Sequence, residues 1–429
     1  MNRRGTAFST VVLAAITATL ATLAGPMPIA QAATDQPAQP LIKARLGSAA
    51  RQIGAQHTIA GRVAALDRLT ADLPEQTVAY GVPTLWHSGT DGSGSTVAVV
   101  DSFGDPDAAE VLSKYSAAHD LPPANLSVIT PAGALPNCTP DQEAKIGCDD
   151  WIGETDLDIV MVHAIAPAAH IVIAATPVNE TEGLAGMPEM MDSISYIAAH
   201  RLADVVSLSF GTPEEDFPNL TDPTTLDYGL RAAQAAGIPV VAASGDCGAT
   251  DNTTVSQYQC QDVFPHQVAS WPASDPLVTA VGGTINGPGE QATDLPDTLW
   301  PDSGAGLSKT YGRPSWQNGV AGVTGVDQRS EPDITMAGAD GTSEAAPLFA
   351  GVLALATQSY GGPLGSVNDA LYQLGPVGAG AGLVDVTSGD NSYAGVQGFS
   401  AGPGFDVASG WGTVDAAAFV PALVAQLGG

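Results

Sequence analysis

Basic residues are scarce in this chain. Its 429 residues carry 14 Lys and Arg against 45 Asp and Glu, a formal net charge of -31 at pH 7. Such a surface repels nucleic acid and anionic membranes, which argues against both as partners. Only 14% of residues are charged and 6% aromatic, while 44% are hydrophobic and 49 are Gly. That balance suits a compact, loop-rich globular protein and excludes a disordered one. Cysteine is limited to Cys138, Cys148, Cys247 and Cys260. These lack the tight C-x-x-C pairs or nearby histidines that a zinc site wants. Local pairing, 138–148 and 247–260, is the simplest of three connectivities. The seven histidines include none in the context of a catalytic base.

The few bases are unevenly placed. Arg3, Arg4, Lys43, Arg45, Arg51, Arg62 and Arg68 all precede residue 70. From residue 75 onward, 42 acids face 7 bases, a formal -35. Residues 1–32 read as a secretory signal: Arg3 and Arg4, an apolar stretch from Phe8 to Leu23, then Ala30-Gln31-Ala32 as a cleavage site. No later stretch is long and apolar enough to span a bilayer. The expected setting is therefore secreted and extracellular, with no membrane attachment after signal cleavage. Residues 33–74 form a short basic segment in which Leu41, Ile42, Leu46, Ile53, Ile59, Val63, Leu66 and Leu69 recur at helical spacing. Gly47, Gly54 and Gly61 interrupt that pattern.

Residues 75–429 read as one α/β domain. Thr96–Val100, Ile171–Ala175, Val205–Ser209 and Pro239–Ala243 are apolar runs of strand length. Ala108–His119, Glu154–Ala164, Met187–His200 and Asp227–Ala236 are helical stretches between and beyond them. This alternation predicts a mostly parallel central sheet with helices on both faces. Sites in such sheets form at the carboxyl ends of strands, where Asp101, Ser209 and Ser244-Gly245-Asp246 fall.

Three segments carry the chemistry. Glu154 and Asp158 are four apart on one helix, so they share a face. Asp246 stands in Ala243-Ser244-Gly245-Asp246-Cys247-Gly248. Ser343 stands in Gly341-Thr342-Ser343-Glu344-Ala345-Ala346-Pro347, at the start of a helix. A serine hydroxyl needs a base beside it to act as nucleophile, and carboxylates, not histidines, are at hand. Read singly, these are an exposed acidic helix face, a turn aspartate and a capping serine. Together with Ile165-Ala166-Pro167, Ser207-Leu208-Ser209-Phe210-Gly211, Trp271-Pro272-Ala273-Ser274 and Val281-Gly282-Gly283-Thr284, the set resembles the sedolisin family, the serine-carboxyl peptidases. Residues 78 to 415 carry the resemblance.

The resemblance implies a subtilisin-like fold and four roles. Glu154 is the general base to Ser343, and Asp158 holds Glu154 in place. Asp246 lines the oxyanion hole with the Ser343 N–H and must be protonated to donate there. Activity at acidic pH follows. One structural Ca2+ is implied, held by Asp385, the carbonyls of Val386, Gly402 and Gly404, and Asp406, an all-oxygen set of the kind calcium takes. The implied protein is a secreted endopeptidase acting on protein or peptide substrates, with a monomer as default. A tripeptidyl-peptidase-type exopeptidase, a catalytically silent binding relative and a two-carboxylate glycosidase are the rivals. Two features depart from the family pattern. Residues 33–74 stand where the family has a large prodomain, and their charge of +2 suits a vestigial propeptide lying over an acidic cleft. Glu344 follows the nucleophile, where the family has a small residue. Asp262, near Cys260, is expected to shape the specificity pocket and favour a basic substrate residue.

Overall fold

The computed structural model describes residues 46–138, 147–180, 186–253, 259–287, 291, 293–295 and 298–428. The signal reading of residues 1–32 lies outside them.

Eight strands form the central sheet. β1 (Thr96–Ser102) pairs in parallel with β3 (His170–Thr176) and β4 (Val205–Leu208). β2 (Asn125–Ile129) flanks β3. β5 (Val240–Ala243), β6 (Val278–Ile285) and β7 (Ile334–Ala337) extend the other side. The order is β7-β6-β5-β4-β1-β3-β2, and Thr298–Leu299 adds an antiparallel edge on β6. Four of these strands, β1, β3, β4 and β5, are the expected apolar runs, and their limits agree within two residues; β2, β6 and β7 add to them. Successive side chains point to opposite faces of a strand. Val97 and Val99 accordingly enter one core and Ala98 and Val100 another. No described helix is long and apolar enough to cross a membrane.

Helix α1 is Ser48–Gly54, α2 Ile59–Leu69, α3 Leu73–Ala79, α4 Val82–His87 and α5 Ala108–Ala118. Helix α6 runs Cys148–Ile165, so it begins six residues before the expected start at Glu154. Glu154 and Asp158 therefore sit in mid-helix, away from the N-terminal dipole. The exposed acidic face read from their spacing is also absent: Glu154, Asp156 and Asp158 are all 0% exposed. A helix buried on every side belongs in a core, and α6 packs against α1, β1 and α9. Helices α7 (Met187–His200) and α8 (Tyr228–Ala236) cover the second face. Helix α9 (Thr342–Tyr360) is buried from Thr342 to Thr357 and packs on the sheet. Helix α10 (Ala416–Gln426) closes over α9.

Both local cysteine pairs are disulfides, Cys138–Cys148 and Cys247–Cys260. The first ties the N-terminal end of α6, the second the loop after β5. The helical spacing of residues 33–74 suits one or two short helices, and two form within residues 48–69. Gly54 does more than interrupt that periodicity: a Cβ there would stand 1.9 Å from the Asp149 carbonyl oxygen. Only glycine allows that approach of α1 to α6.

Candidate active site

Ser343 is the second residue of α9, just past a glycine whose backbone would strain any side chain. Gly341 has φ +149°, and a Cβ on it would lie 3.2 Å from Asp246 Oδ2. The turn thus brings the Asp246 carboxyl against the first turn of α9. Thr342 N–H donates to Asp246 Oδ1 at 2.7 Å, and the Thr342 hydroxyl lies 2.8 Å from the same oxygen. Pro347 lacks the N–H that would bond the Ser343 carbonyl within the helix. The Ser209 hydroxyl approaches that carbonyl instead, at 3.5 Å.

Three buried carboxyls lie on the other side of Ser343. Glu154 and Asp158 come from α6, and Asp101 from the end of β1. Burial pushes Asp101 up to about 7, and the nearby Thr155 hydroxyl opposes this without closing a hydrogen bond. Glu154 is raised well above its ordinary value, first by burial and then by Asp101, Asp246 and Glu344; the nearby Ser343 hydroxyl opposes this. That hydroxyl favours the charged form without closing a hydrogen bond, since both Glu154 oxygens lack a partner. Asp158 is raised by burial, then by Asp101 and Glu154, and accepts the Ser209 hydroxyl at 2.7 Å. No cation is among the causes of these three shifts. Like charges so placed must share protons and titrate as a unit.

Asp246 is raised by burial, opposed by donors from Thr342 and Gln259. Its Oδ2 accepts from Gln259 Nε2 at 3.1 Å. Ser343 and Asp246 line one cavity with Ser209, Gly245, Asp251, Glu180, Gln259, Leu46 and Gly47. None of the seven histidines lines it. His163 is buried and hydrogen-bonded through Nε2 to the Pro122 carbonyl at 3.0 Å, away from this cavity.

All four sequence-predicted site residues therefore converge on one place. Other expectations change. Asp262 is exposed and lines no part of this cavity; Asp251 and Glu180 supply the extra carboxylates there. Glu344 faces away, into a second cavity with Asp340, Arg68, Asp72 and Thr284. Burial, then Asp340, raises it to about 8. Sequence reasoning noted Asp101 and Ser209 as strand-end residues without giving them a place beside Glu154. Gln259 had no signal at all, because its neighbour in space, Asp246, is thirteen residues away.

The calcium candidates also come together. Gly404 N–H donates to Asp385 Oδ2 at 2.7 Å, and Gly402 N–H to Asp406 Oδ2 at 2.8 Å. Asp406 Oδ1 accepts from Ala408 and Ser409 N–H, both at 2.9 Å. Among the described residues no group of three or more His, Cys, Asp or Glu could hold a metal. The loop brings together two carboxylates, Asp385 and Asp406.

The Subtilase family profile matches residues 146–372. Kumamolisin of Bacillus sp. (strain MN-32) is 30% identical over 367 residues, covering 78% of this chain and 60% of that one. Sedolisin of Pseudomonas sp. (strain 101) is 27% identical over 369 residues, 78% of this chain and 59% of that one. Human tripeptidyl-peptidase 1 is 31% identical over 261 residues, 52% of this chain and 44% of that one. The chain thus spans 60% or less of the length of these relatives. The solved structure of Pseudomonas sedolisin, complexed with two molecules of pseudo-iodotyrostatin, has the same fold. Its TM-score is 0.61 at 24% identity, covering 77% of this chain and 92% of that one.

Proposed function

This chain belongs to the subtilase family, in its sedolisin branch, and from that premise we propose that it is a serine-carboxyl peptidase with Ser343 as nucleophile. The observation that carries the reading is the convergence of Ser343 with a fully buried Glu154 on one side and a half-buried Asp246 on the other, with no histidine in the cavity.

Glu154 takes the Ser343 proton as the hydroxyl attacks the peptide carbonyl. The tetrahedral oxyanion is met by the Ser343 N–H and by Asp246 in its acid form. Glu154 then passes the proton to the leaving amine, and water repeats the sequence on the acyl-enzyme. Asp158 orients Glu154 while Ser209 holds Asp158, and Asp101 extends the proton-sharing group. An ionised Asp246 would repel the oxyanion, so the reaction belongs to acidic pH.

One structural calcium ion is part of the proposal. Asp385, Asp406 and the carbonyls of Val386, Gly402 and Gly404 would hold it. Their all-oxygen chemistry fits, and both carboxylates already meet in the 402–404 loop. When bound, the ion would neutralise the two acids and cross-link the loops that carry them. Asp390 is left out: it is exposed and bonds Ser392 and Ser400 instead. Secretion is proposed too, supported by two disulfides, which persist in oxidising compartments.

Hydrolysis of a mixed peptide library at about pH 4 and pH 7 tests the reading, with Ser343→Ala alongside. Acid-dependent cleavage lost in the variant supports it. Equal cleavage by both proteins, or none by folded protein after acid exposure, sinks it. The similarity to tripeptidyl-peptidase 1 favours a second reading, exopeptidase action. Products cut uniformly three residues from a free N-terminus would select it over endopeptidase action.

A further inference from the structure

Two cavities flank the first turn of α9. Ser343 lines one, and Glu344, the next residue, lines the other. In the first, the acid at the turn is tied down. Gln259 Nε2 donates to Asp246 Oδ2, and Arg51 Nη2 donates to Gln259 Oε1, both at 3.1 Å. The second cavity takes no part in the chemistry proposed for Ser343. Its volume is about 420 Å³, within the range of about 300–1,000 Å³ that ligand pockets occupy.

The sheet sets this second cavity in place. Thr284 of β6 lies opposite Ala337 of β7. Gly338 N–H then donates to the Thr284 carbonyl at 3.1 Å. That bond draws the 338–341 turn, and with it the start of α9, against the end of β6. Glu344 and Leu348 are four apart on α9 and so share a face. Residues 68–73, from the end of α2 into α3, line the cavity too.

The lining is divided by chemistry. Leu69, Leu73, Met161 and Leu348 give it an aliphatic wall. Glu344, Asp340 and Asp72 make it acidic, with Arg68 the one base among the lining residues. Thr284 is 1% exposed, and its hydroxyl has no hydrogen-bond partner among the described residues. Glu344 is 7% exposed, and no cation is among the causes of its shift. Buried polar groups are nearly always paired, so these two call for a ligand that brings its own donors. Among the described residues no group of three or more His, Cys, Asp or Glu could hold a metal; the three acids are spread round the cavity. A head with several donors on an apolar stem suits that spread. An ammonium has three donors and no acceptor, and its methylene chain packs on hydrocarbon.

We propose that this cavity binds an aliphatic primary ammonium, its head on Glu344, Asp340 and the Thr284 hydroxyl and its chain along Leu69, Leu73 and Leu348. A free alkylamine and the lysine side chain of a peptide share that chemistry. Binding there requires nothing of Ser343, so it stands apart from the peptidase reading.

Binding is also linked to a proton. The titratable and charged groups facing Glu344 are Asp340, Asp246, Glu154 and Tyr80, with Asp72 and Arg68 across the cavity. Burial, then Asp340, raises Glu344 to about 8. Below that value it holds a proton, which an arriving ammonium must displace. Affinity should therefore rise between about pH 6 and pH 8, and binding at the lower pH should release a proton.

The test is calorimetric titration of the full chain with n-hexylamine at those two pH values, in buffers of different ionisation enthalpy. Hexan-1-ol, which has the chain without the charge, and Nα-acetyl-lysine amide are titrated alongside. Hexylamine should bind about tenfold or more tighter than hexanol at the higher pH. Glu344→Gln should lose that advantage and abolish the proton release. Ala71→Trp fills the exposed rim of the cavity and leaves its charges alone. It should block binding, and it keeps the test decisive if Glu344→Gln fails to fold. Asp251→Asn, in the Ser343 cavity, should bind hexylamine as the unmodified chain does. Acetyl-lysine amide binding as tightly as hexylamine supports the site with a peptide side chain as its occupant, and hexylamine binding alone supports it with a free amine. No binding, hexylamine no tighter than hexanol, or binding lost in Asp251→Asn and kept in Glu344→Gln overturns the proposal. Amine binding by a chain that cleaves no peptide would keep this site and sink the peptidase reading.

Discussion

Helix α6 carries two sets of buried acids, and they are neutralised in different ways. Asp156 points towards Arg62, 3.2 Å away, with Asp105 sharing the same guanidinium. Glu154 and Asp158 point towards Ser343, Ser209 and Asp101, where no cation enters. Burial raises the acids of both faces first of all. On the Asp156 face a fixed positive charge opposes the cost, and the result is a structural joint. On the Glu154 face only shared protons can relieve it, which suits the proton transfer proposed for that group. The same residue type, two positions apart on one helix, is structural or chemical according to what the neighbouring element presents.

Removing the chemistry alone breaks the comparison most sharply. Ser343→Ala or Glu154→Gln should lower peptide hydrolysis by about 10³-fold or more, while the melting temperature moves little. A loss of folding in either variant would show that this face is structural as well.

Arg62→Met attacks the other face. It leaves two buried acids without their cation, at a cost of about 3–5 kcal/mol near neutral pH. Denaturant unfolding should show that loss at pH 7 and a smaller one at pH 4, where the acids take protons. Equal losses at both pH values would mean that Arg62 acts through packing.

Glu344 sharpens the proton side. Its value is raised to about 8 and that of Asp101 to about 7. An acid raised by folding keeps its proton in the native state when the unfolded chain has lost it. Its stabilisation is full below the ordinary carboxyl range and fades as pH climbs from about 4 to about 8. Each such group should cost about 1.4 kcal/mol per pH unit inside its window. Glu344→Gln should therefore flatten the fall in stability between pH 5 and pH 7; an unchanged slope would refute its raised value.

Calcium removal should have the mildest effect. With calcium at about 100 times its Kd, binding contributes about 2.7 kcal/mol. Chelation should lower the melting temperature accordingly, and Asp385→Ala should abolish the response. An identical melt with and without chelator would leave the loop without its proposed ion.

Much of the fold was legible because buried parallel strands write themselves as apolar runs. Thr96–Val100 and Ile171–Ala175 needed only length and β-branching to be placed. The segments bearing Glu154, Asp246 and Ser343 were legible through their local motifs. The start of α6 was not, since Cys148-Asp149-Asp150 resembles a polar turn until the body buries it. The burial of Asp156 was equally hidden: its partner Arg62 lies in a segment that composition set apart as a detachable basic arm. That segment's two helices look alike in sequence, yet one pairs with buried acids and the other rests on the Ser343 cavity.

The sequence by itself determined the alternation of strands and helices, the local disulfides and the residue types available for catalysis. These follow from hydrophobic period and short-range spacing, which a linear chain displays openly. Tertiary structure alone decided that Asp101 joins Glu154 and Asp158, that Gln259 bridges Arg51 to Asp246, and that Glu344 turns away. Those choices depend on which side chains meet across long separations in a low-dielectric interior, where a single cation or its absence decides whether an acid holds a charge or a proton.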